Sequence, residues 1–401
     1  MSAVSFHVGI DWGNEKHAIC VIDADGRVRK EQMVNNDLTL LEVLLNVTGG
    51  VPPETVHIAL EDRRNAVADT LVAHGFRVHT INPKQVDRFR DRENVAGAKD
   101  DRRDARVLAR TLRTDGDFFH LVEVPTEHLM LLRGCTGAIE ELERDRRRKS
   151  NQLRALLLRF YPALLALCPG TDELWFWELV LLLRSVEHAK KVTDKKLTEL
   201  LQKHRRRLVT LETLRSVIDA KHLHTSPGVA VASFENARVL IESLRLLERQ
   251  LKAATKARDE LLKVQVGEAD GPSDAELLCS VPGIANKTAA ILLVDAALPL
   301  QSGQLGLLRA LAGVAPVTKR SGKSTSIVMR RACNNRLRQA LYHAAGTLAR
   351  HDQRFATQYR RLCERGHTHA RACRGVADRL LTVLVAMMKS RELFRQQPIE
   401  A

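Results

Sequence analysis

The first part of the chain alternates short apolar runs with longer stretches in which apolar residues recur at helical spacing. Asp25-Gly26 supplies the turn chemistry of a hairpin, so the strand after it is predicted to be antiparallel to the strand before it. The predicted strands are 6–10, 18–22, 27–34, 56–61 and 76–82. The predicted helices are 36–45, 64–75 and a helix that starts near residue 100. This alternation predicts an α/β domain with a mixed sheet.

Between residues 124 and 271 the pattern is helical and basic. A long helix is predicted from about residue 233 to 266, and its leucines recur with coiled-coil spacing although Arg258 falls on the same stripe. A similar stripe covers 197–218, and a Pro-Gly pair at 227–228 separates the two. We therefore expect an antiparallel helix pair or a dimerising arm in this region.

From residue 272 onward the pattern is mainly helical, and two of its turns carry polar groups of interest. In LLCSVPGIANKTAAILLVD a Pro-Gly turn joins two helices, and such a turn can present backbone N–H groups to a DNA phosphate at Gly283, near Lys287. An ordinary helix-packing corner explains the same pattern. Further on, the Gly-Lys-Ser tripeptide at 322–324 is not a P-loop, because Val317 stands where that motif requires glycine.

The charge balance narrows the class of partner. The chain carries 63 Lys and Arg against 48 Asp and Glu, a formal net charge of +15, which favours a polyanion and nucleic acid before membrane. No apolar signal segment or membrane span is predicted, since charged residues interrupt each apolar window. The 7 cysteines are odd in number and form no C-x-x-C pair, which argues against a zinc module or a disulfide framework. We expect a cytoplasmic protein.

Acidic residues fall at the points where the predicted sheet would place a functional crevice. Asp11 ends the first strand and Glu61 the fourth, and the carboxyl ends of parallel strands meet at one edge. Asp101 and Asp104 are three apart on a helix and share a face. Four converging carboxylates would repel one another unless divalent cations lay between them, and oxygen ligands favour Mg²⁺ or Mn²⁺. Such a site supports phosphodiester chemistry.

A simpler interpretation of these acids stands beside the metal site. Asp101 and Asp104 lie among lysines and arginines at a helix start, where solvated ion pairs and the helix dipole alone would explain them. Asp62 and Asp100 are alternatives for the adjacent positions.

A second candidate for chemistry is the hydroxyl of Ser321. It lies on a polar turn among cationic residues, and a hydroxyl in an anion-binding environment can attack a phosphodiester when its proton is taken up. A serine before glycine is also an ordinary turn residue. The surrounding cations, all candidates for nucleic-acid binding, are Lys319, Arg320, Lys323, Arg330 and Arg331.

Segments at both ends of the chain resemble one known family. GIDWGNEKHAICVIDADG, ALE, INPKQVDRFRD and AKDDRRDARVLA closely resemble the N-terminal domain of IS110-family transposases, a RuvC-like fold of the ribonuclease H superfamily. SVPGIANKTAAILL, GVAPVTKRSGKS and NNRLRQALYHAA, in that order, resemble the C-terminal transposase domain of the same family. The middle of the chain resembles this family only in being basic and helical.

Carried over residue by residue, the acidic quartet of that family falls on Asp11, Glu61, Asp101 and Asp104. Its nucleophilic serine follows a Gly-x-x-Pro motif, GVAP here, and falls on Ser321. The resemblance implies an RNA-guided site-specific DNA recombinase. A structured non-coding RNA would pair with donor and target DNA, and a phosphoserine intermediate would form with help from the metal site. It also implies a homo-oligomer, dimer or tetramer, in which the two catalytic domains of different subunits meet.

The resulting division has three parts. They are a RuvC-like metal-binding domain at 1–123, a basic, coiled-coil-like helical region at 124–271, and a mainly helical transposase domain at 272–401. Two other functions remain open. One is a metal-dependent, structure-specific DNA nuclease of RuvC type that uses water while Ser321 is idle, and the other is a non-catalytic nucleic-acid-binding scaffold.

The chain departs from the family pattern at three places. Asp62-Arg63-Arg64 replaces the usual Ala-Thr-Gly after the glutamate, so the loop over that acid can differ. Lys99-Asp100-Asp101 replaces Lys-Thr-Asp and leaves a one-residue ambiguity in the third acid. Ala285 replaces the last glycine of PGIG, which weakens the case for a close approach of that backbone to phosphate. None of the three removes a predicted catalytic residue.

Overall fold

The structure is a computed structural model. It describes residues 4–61, 66–81, 85–89, 100–122, 126–221, 225–264, 271–321 and 324–397. The chain forms two compact units, Met1–Pro125 and Thr126–Ala401. The predicted boundary at residue 271 falls inside the second unit, and the division of that unit into a basic helical region and a transposase domain stays a prediction.

The first unit is a mixed α/β sheet domain, as predicted. Its strands are β1 (Phe6–Asp11), β2 (Lys16–Asp23), β3 (Val28–Asn35), β4 (Val56–Leu60), β5 (Arg77–Thr80) and β6 (His120–Leu121). Its helices are α1 (Thr39–Thr48), α2 (Ala66–Ala73), α3 (85–89) and α4 (Asp101–Thr114). The five predicted strands are all present, and α1 begins three residues later than predicted because Asp37 and Leu38 form the turn before it.

The sheet has the strand order β3-β2-β1-β4-β5-β6. The pairs β1–β2, β2–β3 and β5–β6 are antiparallel, and β1–β4 and β4–β5 are parallel. Gly26 in the hairpin turn has φ +89, which explains why the turn needs glycine. Parallel strands in the centre put the carboxyl ends of β1, β4 and β5 at one edge.

The two faces of the sheet are covered by different helices. Strand alternation places the side chains of Val8, Ile10, Ile58 and Leu60 on the face that packs against α1 and α2. The other face packs against α4 in two small clusters. Their buried members are Ala18, Cys20, Ile22, Ala59, Ile81, Val86, Ala105, Leu108, Ala109, Leu112 and Phe119. The cluster between β2 and α4 consists mostly of small residues, so α4 lies close to the sheet there.

In its described residues, the second unit is helical except for one hairpin. Its helices are α5 (Glu127–Phe160), α6 (Leu174–Leu183), α7 (Val186–Ala189), α8 (Asp194–Lys203), α9 (Leu211–Ile218), α10 (Pro227–Lys263), α11 (Asp274–Cys279), α12 (Asn286–Gln301), α13 (Leu305–Leu311), α14 (Asn335–His351), α15 (Gln353–Glu364) and α16 (His369–Ser390). Its strands are β7 (Val317–Ser321) and β8 (Ser324–Val328), which pair antiparallel.

The long helix predicted near residues 233–266 is α10, but its partner differs from the prediction. It pairs with α5 along its length. The 197–218 stripe instead forms the short helices α8 and α9, whose leucines pack in one core with residues of α5, α6 and α10. Leu132 and Leu262 share one apolar cluster, while Arg146 binds Glu248 at 3.0 Å, so the pair is antiparallel. The pairing was mispredicted because partner choice depends on non-local packing that a leucine stripe does not specify.

Two further features bear on the sequence analysis. Arg258 does lie on the buried face of α10, where its Nη2 binds Asp259 at 2.6 Å, so the ion pair offsets the charge on that stripe. Trp175, Phe176 and Trp177 belong to the core formed with α5 and α10. In the part of the chain that the structure describes, no helix is long and apolar enough to cross a membrane.

Candidate active site

Strand register brings two of the four predicted acids to one edge of the sheet. Ile10 pairs with Leu60 in the parallel β1–β4 ladder, and Asp11 and Glu61 are the next residues on each chain. Neighbouring strands are about 4.8 Å apart, so the two backbones run side by side here. The side chains of Ile10 and Leu60 lie on the face covered by α1 and α2. Successive side chains of a strand point to opposite faces, so Asp11 lies on the face covered by α4.

The direction of α4 places the other two acids toward the same edge. Arg106 on α4 donates to the Glu31 carboxylate at 2.6–3.2 Å. Glu31 on β3 pairs with Cys20 on β2, which in turn pairs with Gly9 on β1, so Arg106 lies level with Gly9. Arg113, further along α4, lies against Gly26 near the amino end of β1. The helix therefore runs from the Asp11 edge toward the opposite edge of the sheet, with its first turn nearest to Asp11.

Within that first turn the acids differ in exposure and role. Asp104 is only 2% exposed, whereas Asp101 is exposed. Asp100 is the N-cap of α4, and its carboxylate accepts the backbone N–H of Arg102 at 3.3 Å. A capping role therefore explains the acid at position 100 without a metal. Asp62, the other alternative, lies outside the described residues.

The turn that follows Asp11 is fixed by a buried histidine. The backbone N–H of Gly13 donates to Nδ1 of His17 at 3.3 Å, so the proton of the ring is on Nε2, which donates to Asn36 Oδ1 at 3.1 Å. Burial lowers the pKa of His17 and so favours this neutral form. The hydrogen bonds hold the end of β1 in place.

The donor chemistry of the four acids suits a hard divalent cation, but their arrangement is not that of a formed metal site. Among the residues that the structure describes, no group of three or more His, Cys, Asp or Glu side chains is placed to hold a metal ion. The structure thus supports a common edge for Asp11 and Glu61 and an approach of α4 to that edge, and the metal quartet stays a prediction.

Ser321 lies at the tip of the β7–β8 hairpin. It is exposed and pairs with Ser324 across the hairpin. Residues directly opposite each other share a face, so Ser321 and Ser324 lie on the same face as Lys319 and Ser326. Arg320 projects from the other face, and both cations are exposed. The hairpin therefore presents a hydroxyl with cations on both of its faces.

Comparisons with known proteins decide the family. Residues 8–162 match a family model described as a transposase, the DEDD transposase of IS110 type, and residues 275–360 match the model of the transposase IS116/IS110/IS902 family. Two different models thus match in order, one at each end of the chain. The chain belongs to the IS110 family of transposases.

Individual relatives agree with this assignment. A putative transposase of Sinorhizobium fredii is 36% identical over 203 residues, which are 50% of this transposase and 56% of that protein. The mini-circle putative transposase for IS117 of Streptomyces coelicolor is 27% identical over 97% of this chain and 95% of its own. An uncharacterized protein of insertion element IS116 from Streptomyces clavuligerus is 27% identical over 98% and 96%. This chain is a DNA transposase.

Two of the residues predicted to contact nucleic acid in this transposase make contacts within the protein. Lys287 donates to both carboxylate oxygens of Glu143 at 2.7 Å. Gly283 has φ +90, and a Cβ there would lie 2.7 Å from Thr347 Cβ, so packing against α14 requires glycine. Arg331 is exposed, and Lys323 lies outside the described residues. None of these contacts with nucleic acid is tested by the structure.

Sequence reasoning missed two groups of residues. One is a row of histidines on β1, β4 and β5, in which the rings of His57 and His79 stack at 4.8 Å and His7 lies edge-on to His57 at 6.1 Å. Burial, the neighbouring histidines and nearby arginines lower the pKa of His7 and His79 to about 4. The repeated Phe-His-Val, Val-His-Ile and Val-His-Thr strands were a signal for this row.

The second group lines a cavity at the base of the Ser321 hairpin. It consists of Arg371 and Arg374 of α16 and His367 before that helix, and the predicted candidate Arg330 lines the same cavity. These α16 residues come about fifty positions after the hairpin, and nothing in the local pattern links the two.

Proposed function

We propose that this transposase is an RNA-guided, site-specific DNA recombinase in which Ser321 is the nucleophile. The observation that carries the proposal is the exposed position of Ser321 at a hairpin tip with Lys319 on its own face and Arg320 on the other. Exposed cations that flank a hydroxyl attract a phosphate and stabilise the charge that develops on it during attack. The family assignment supports strand transfer as the reaction.

The chemistry of the proposal is two successive exchanges at phosphorus. The Ser321 oxygen bonds to the phosphorus of a phosphodiester and gives its proton to a base or water. The P–O bond to one strand end breaks, and that end takes up a proton from water or an acid and leaves as a hydroxyl. The phosphoserine ester conserves the bond energy, and a hydroxyl of the new strand attacks it to restore the serine. One chain holds one strand end at a time, so exchange between two duplexes supports the proposal of a dimer or tetramer.

Asp11, Glu61, Asp101 and Asp104 would hold Mg²⁺ or Mn²⁺ in this proposal. The carboxylate chemistry of all four and the shared sheet edge of the first two support it. A bound divalent cation would supply neutralisation of phosphate charge. The strand order of the first unit supports a RuvC-like, ribonuclease H-type fold, which the sequence resemblance implies.

Basic surfaces on the second unit support contacts with a guide RNA and with donor and target DNA. Arg144, Arg147 and Arg148 of α5 line an open cavity of about 490 Å³ together with Asn151 and Gln152. By contrast, Arg206 of the 205–207 run binds Glu173 at 2.7 Å and lies over Trp175, so it belongs to the fold. In the 144–148 run, Arg146 binds Glu248 and Arg148 binds Asp145, but Arg144, Arg147 and Arg148 are exposed, so these three are the better candidates for phosphate contact.

The serine mechanism is tested by strand exchange in matched variants. We expect Ser321→Ala to abolish both exchange and the covalent protein–DNA adduct, because the proposed attacking hydroxyl is removed. Ser324→Ala is the sharpest comparison, since Ser324 lies opposite Ser321 on the same face. Ser326→Ala, opposite Lys319, is the control for loss of a hairpin hydroxyl. Normal exchange by Ser321→Ala, or loss only in Ser324→Ala, would show that Ser321 is not the nucleophile.

The guide RNA is tested separately. We expect the protein, purified from cells that carry its element, to retain a discrete RNA that resists washing and is required for target choice. Recombination at the same DNA site after complete ribonuclease treatment would exclude RNA guidance while leaving the serine chemistry intact.

A further inference from the structure

A cavity of about 680 Å³ lies at the base of the hairpin that carries Ser321. One wall is the Gly-x-x-Pro segment at 313–316, and the second is the end of β8 with the residues after it. Leu362, His367 and the first turns of α16 close the third side. The cavity therefore connects the segment before β7 with the segment after β8.

The charge of the lining is strongly positive. Four arginines line it, and Asp378 is the one carboxylate among the described lining residues. That carboxylate accepts two hydrogen bonds from Arg309, at 2.5 and 3.2 Å. The described lining contains no second acid for Arg330, Arg371 and Arg374.

Arg330 gives a specific sign of an anion-binding site. Its Nε is buried and has no hydrogen-bond partner in the part of the chain that the structure describes. A buried donor without an acceptor costs free energy of about 1–3 kcal/mol, which a ligand oxygen would recover. Arg371 and Arg374 line the same cavity from a different element, α16, so an anion in it meets guanidinium groups from two parts of the chain.

Apart from His367 and two glycines, the rest of the described lining is apolar. Its apolar members are Val314, Ala315, Pro316, Ile327, Val328, Met329 and Leu362. Ile327 is 69% exposed and Met329 43% exposed, an unusual state for large apolar side chains beside a cluster of arginines. A ligand that covers them must have an apolar face as well as negative charge.

We propose that this arginine cavity binds one extruded nucleotide of an unpaired nucleic-acid strand. The phosphate would lie between Arg330 and the Arg371–Arg374 pair, and the base would cover Ile327 and Met329. The volume lies within the range of small-ligand sites. A paired duplex presents its phosphates on a convex surface and keeps its bases stacked, so it cannot fill a concave site with an apolar wall.

This inference extends the proposed function, since strand exchange creates unpaired nucleotides next to the cleaved phosphate. It names the chemistry of a nucleotide phosphate with its base, which single-stranded DNA and single-stranded RNA share. The experiment distinguishes these two sources.

The test is fluorescence anisotropy with labelled oligothymidylate, oligouridylate and a duplex, without divalent cation. We expect Arg371→Ala/Arg374→Ala to weaken binding of a single strand about tenfold. The slope of log affinity against log salt should fall by roughly 1.4, for two lost phosphate contacts. Duplex affinity should change no more than in the control. A loss confined to oligothymidylate identifies the source as DNA, and a loss confined to oligouridylate identifies it as RNA.

The matched control is Arg360→Ala/Arg361→Ala, which removes two exposed arginines of α15 outside the lining. Ala315→Trp keeps every charge and fills the cavity, so it should also weaken single-strand binding. Equal losses in the control and the Arg371→Ala/Arg374→Ala variant would overturn the proposal. So would unchanged single-strand binding by Ala315→Trp.

Failure of this inference is distinguishable from failure of the serine mechanism. Binding is measured without cleavage, and neither Arg371 nor Arg374 belongs to the proposed catalytic set. A protein that forms the Ser321 adduct normally but shows no cavity effect keeps the proposed function and loses the nucleotide site. A protein that shows the cavity effect but forms no Ser321 adduct keeps the nucleotide site and loses the proposed serine mechanism.

Discussion

The position of α4 on the sheet depends on Gly9, and Gly9→Ala is the most informative test of it. A Cβ at Gly9 would lie 1.9 Å from the carbonyl oxygen of Ala105 and 2.6 Å from the backbone nitrogen of Ala109. Both atoms are backbone, so no side chain can rotate away. The helix that carries Asp101 and Asp104 would have to move.

The size of the effect follows from these distances. Nonbonded heavy atoms pack at roughly 3.5 Å, so α4 must shift by about 1.5 Å away from β1. The shift would loosen the packing of Ala105, Leu108 and Ala109 against the sheet. Overpacking of this kind costs about 3 kcal/mol. Such a loss corresponds to a roughly hundredfold change in the opening equilibrium of the helix.

The assay is hydrogen–deuterium exchange of peptides from α4 and β1. Amides of α4 should exchange about a hundredfold faster in Gly9→Ala, since exchange follows local opening. Gly116→Ala is the control, because no atom lies within 4 Å of its added Cβ. Strand transfer should fall in Gly9→Ala, as the acids of α4 move from the Asp11 edge. Unchanged exchange in α4 would refute the close contact of β1 with this helix.

Three further predictions concern other parts of the molecule. The pKa of His7 and His79 is lowered from 6.5 to about 4, so the stability they contribute is complete above pH 6.5 and is lost as pH falls toward 4. In His79→Gln, the midpoint of urea denaturation should decrease less between pH 6.5 and pH 4 than it does in the wild type. Arg336→Ala should lower the free energy of unfolding by about 3 kcal/mol in thermal denaturation, because it leaves the Asp295 carboxylate, 13% exposed, without its guanidinium. Saturating Mg²⁺ or Mn²⁺ should raise the melting temperature of the wild type but not of Asp104→Asn.

Each of these predictions has a control and an outcome that opposes it. His74→Gln removes an exposed histidine and should keep the pH dependence of the wild type. If His74→Gln flattened the pH dependence of the urea midpoint as much as His79→Gln, the buried histidines would not be its cause. Arg350→Ala, at an exposed position, should change stability by less than about 0.5 kcal/mol. Asp117→Asn should keep the metal-dependent shift. A shift that survives in Asp104→Asn would place the cation elsewhere.

Much of the first unit could be predicted because its signals are local. The apolar runs gave the five longer strands, and Asp25-Gly26 gave the β2–β3 hairpin. The two-residue strand β6 was missed, since only its pairing with β5 defines it. The pairing of α10 with α5 was also missed, because several surfaces of similar apolar content compete and tertiary packing decides among them.

The candidate site shows the same limit. The spacing of Asp101 and Asp104 predicted a shared helix face, but only the packing of α4 shows that Asp104 is buried and Asp101 exposed. The ambiguity at Asp100 is reduced by its hydrogen bond to the backbone of Arg102, a capping geometry that composition alone does not distinguish from a metal ligand. The cavity arginines of α16 are brought to the hairpin only by folding.

The central claim is that Ser321 carries the DNA strand during exchange. The direct measurement is mass spectrometry of the covalent adduct trapped with a nicked suicide substrate, digested to a single nucleotide on a peptide. The proposal predicts a phosphodiester-linked nucleotide on the peptide that contains Ser321, located by fragmentation to that serine. A nucleotide on any other residue, or efficient strand exchange with no adduct at all, would contradict it.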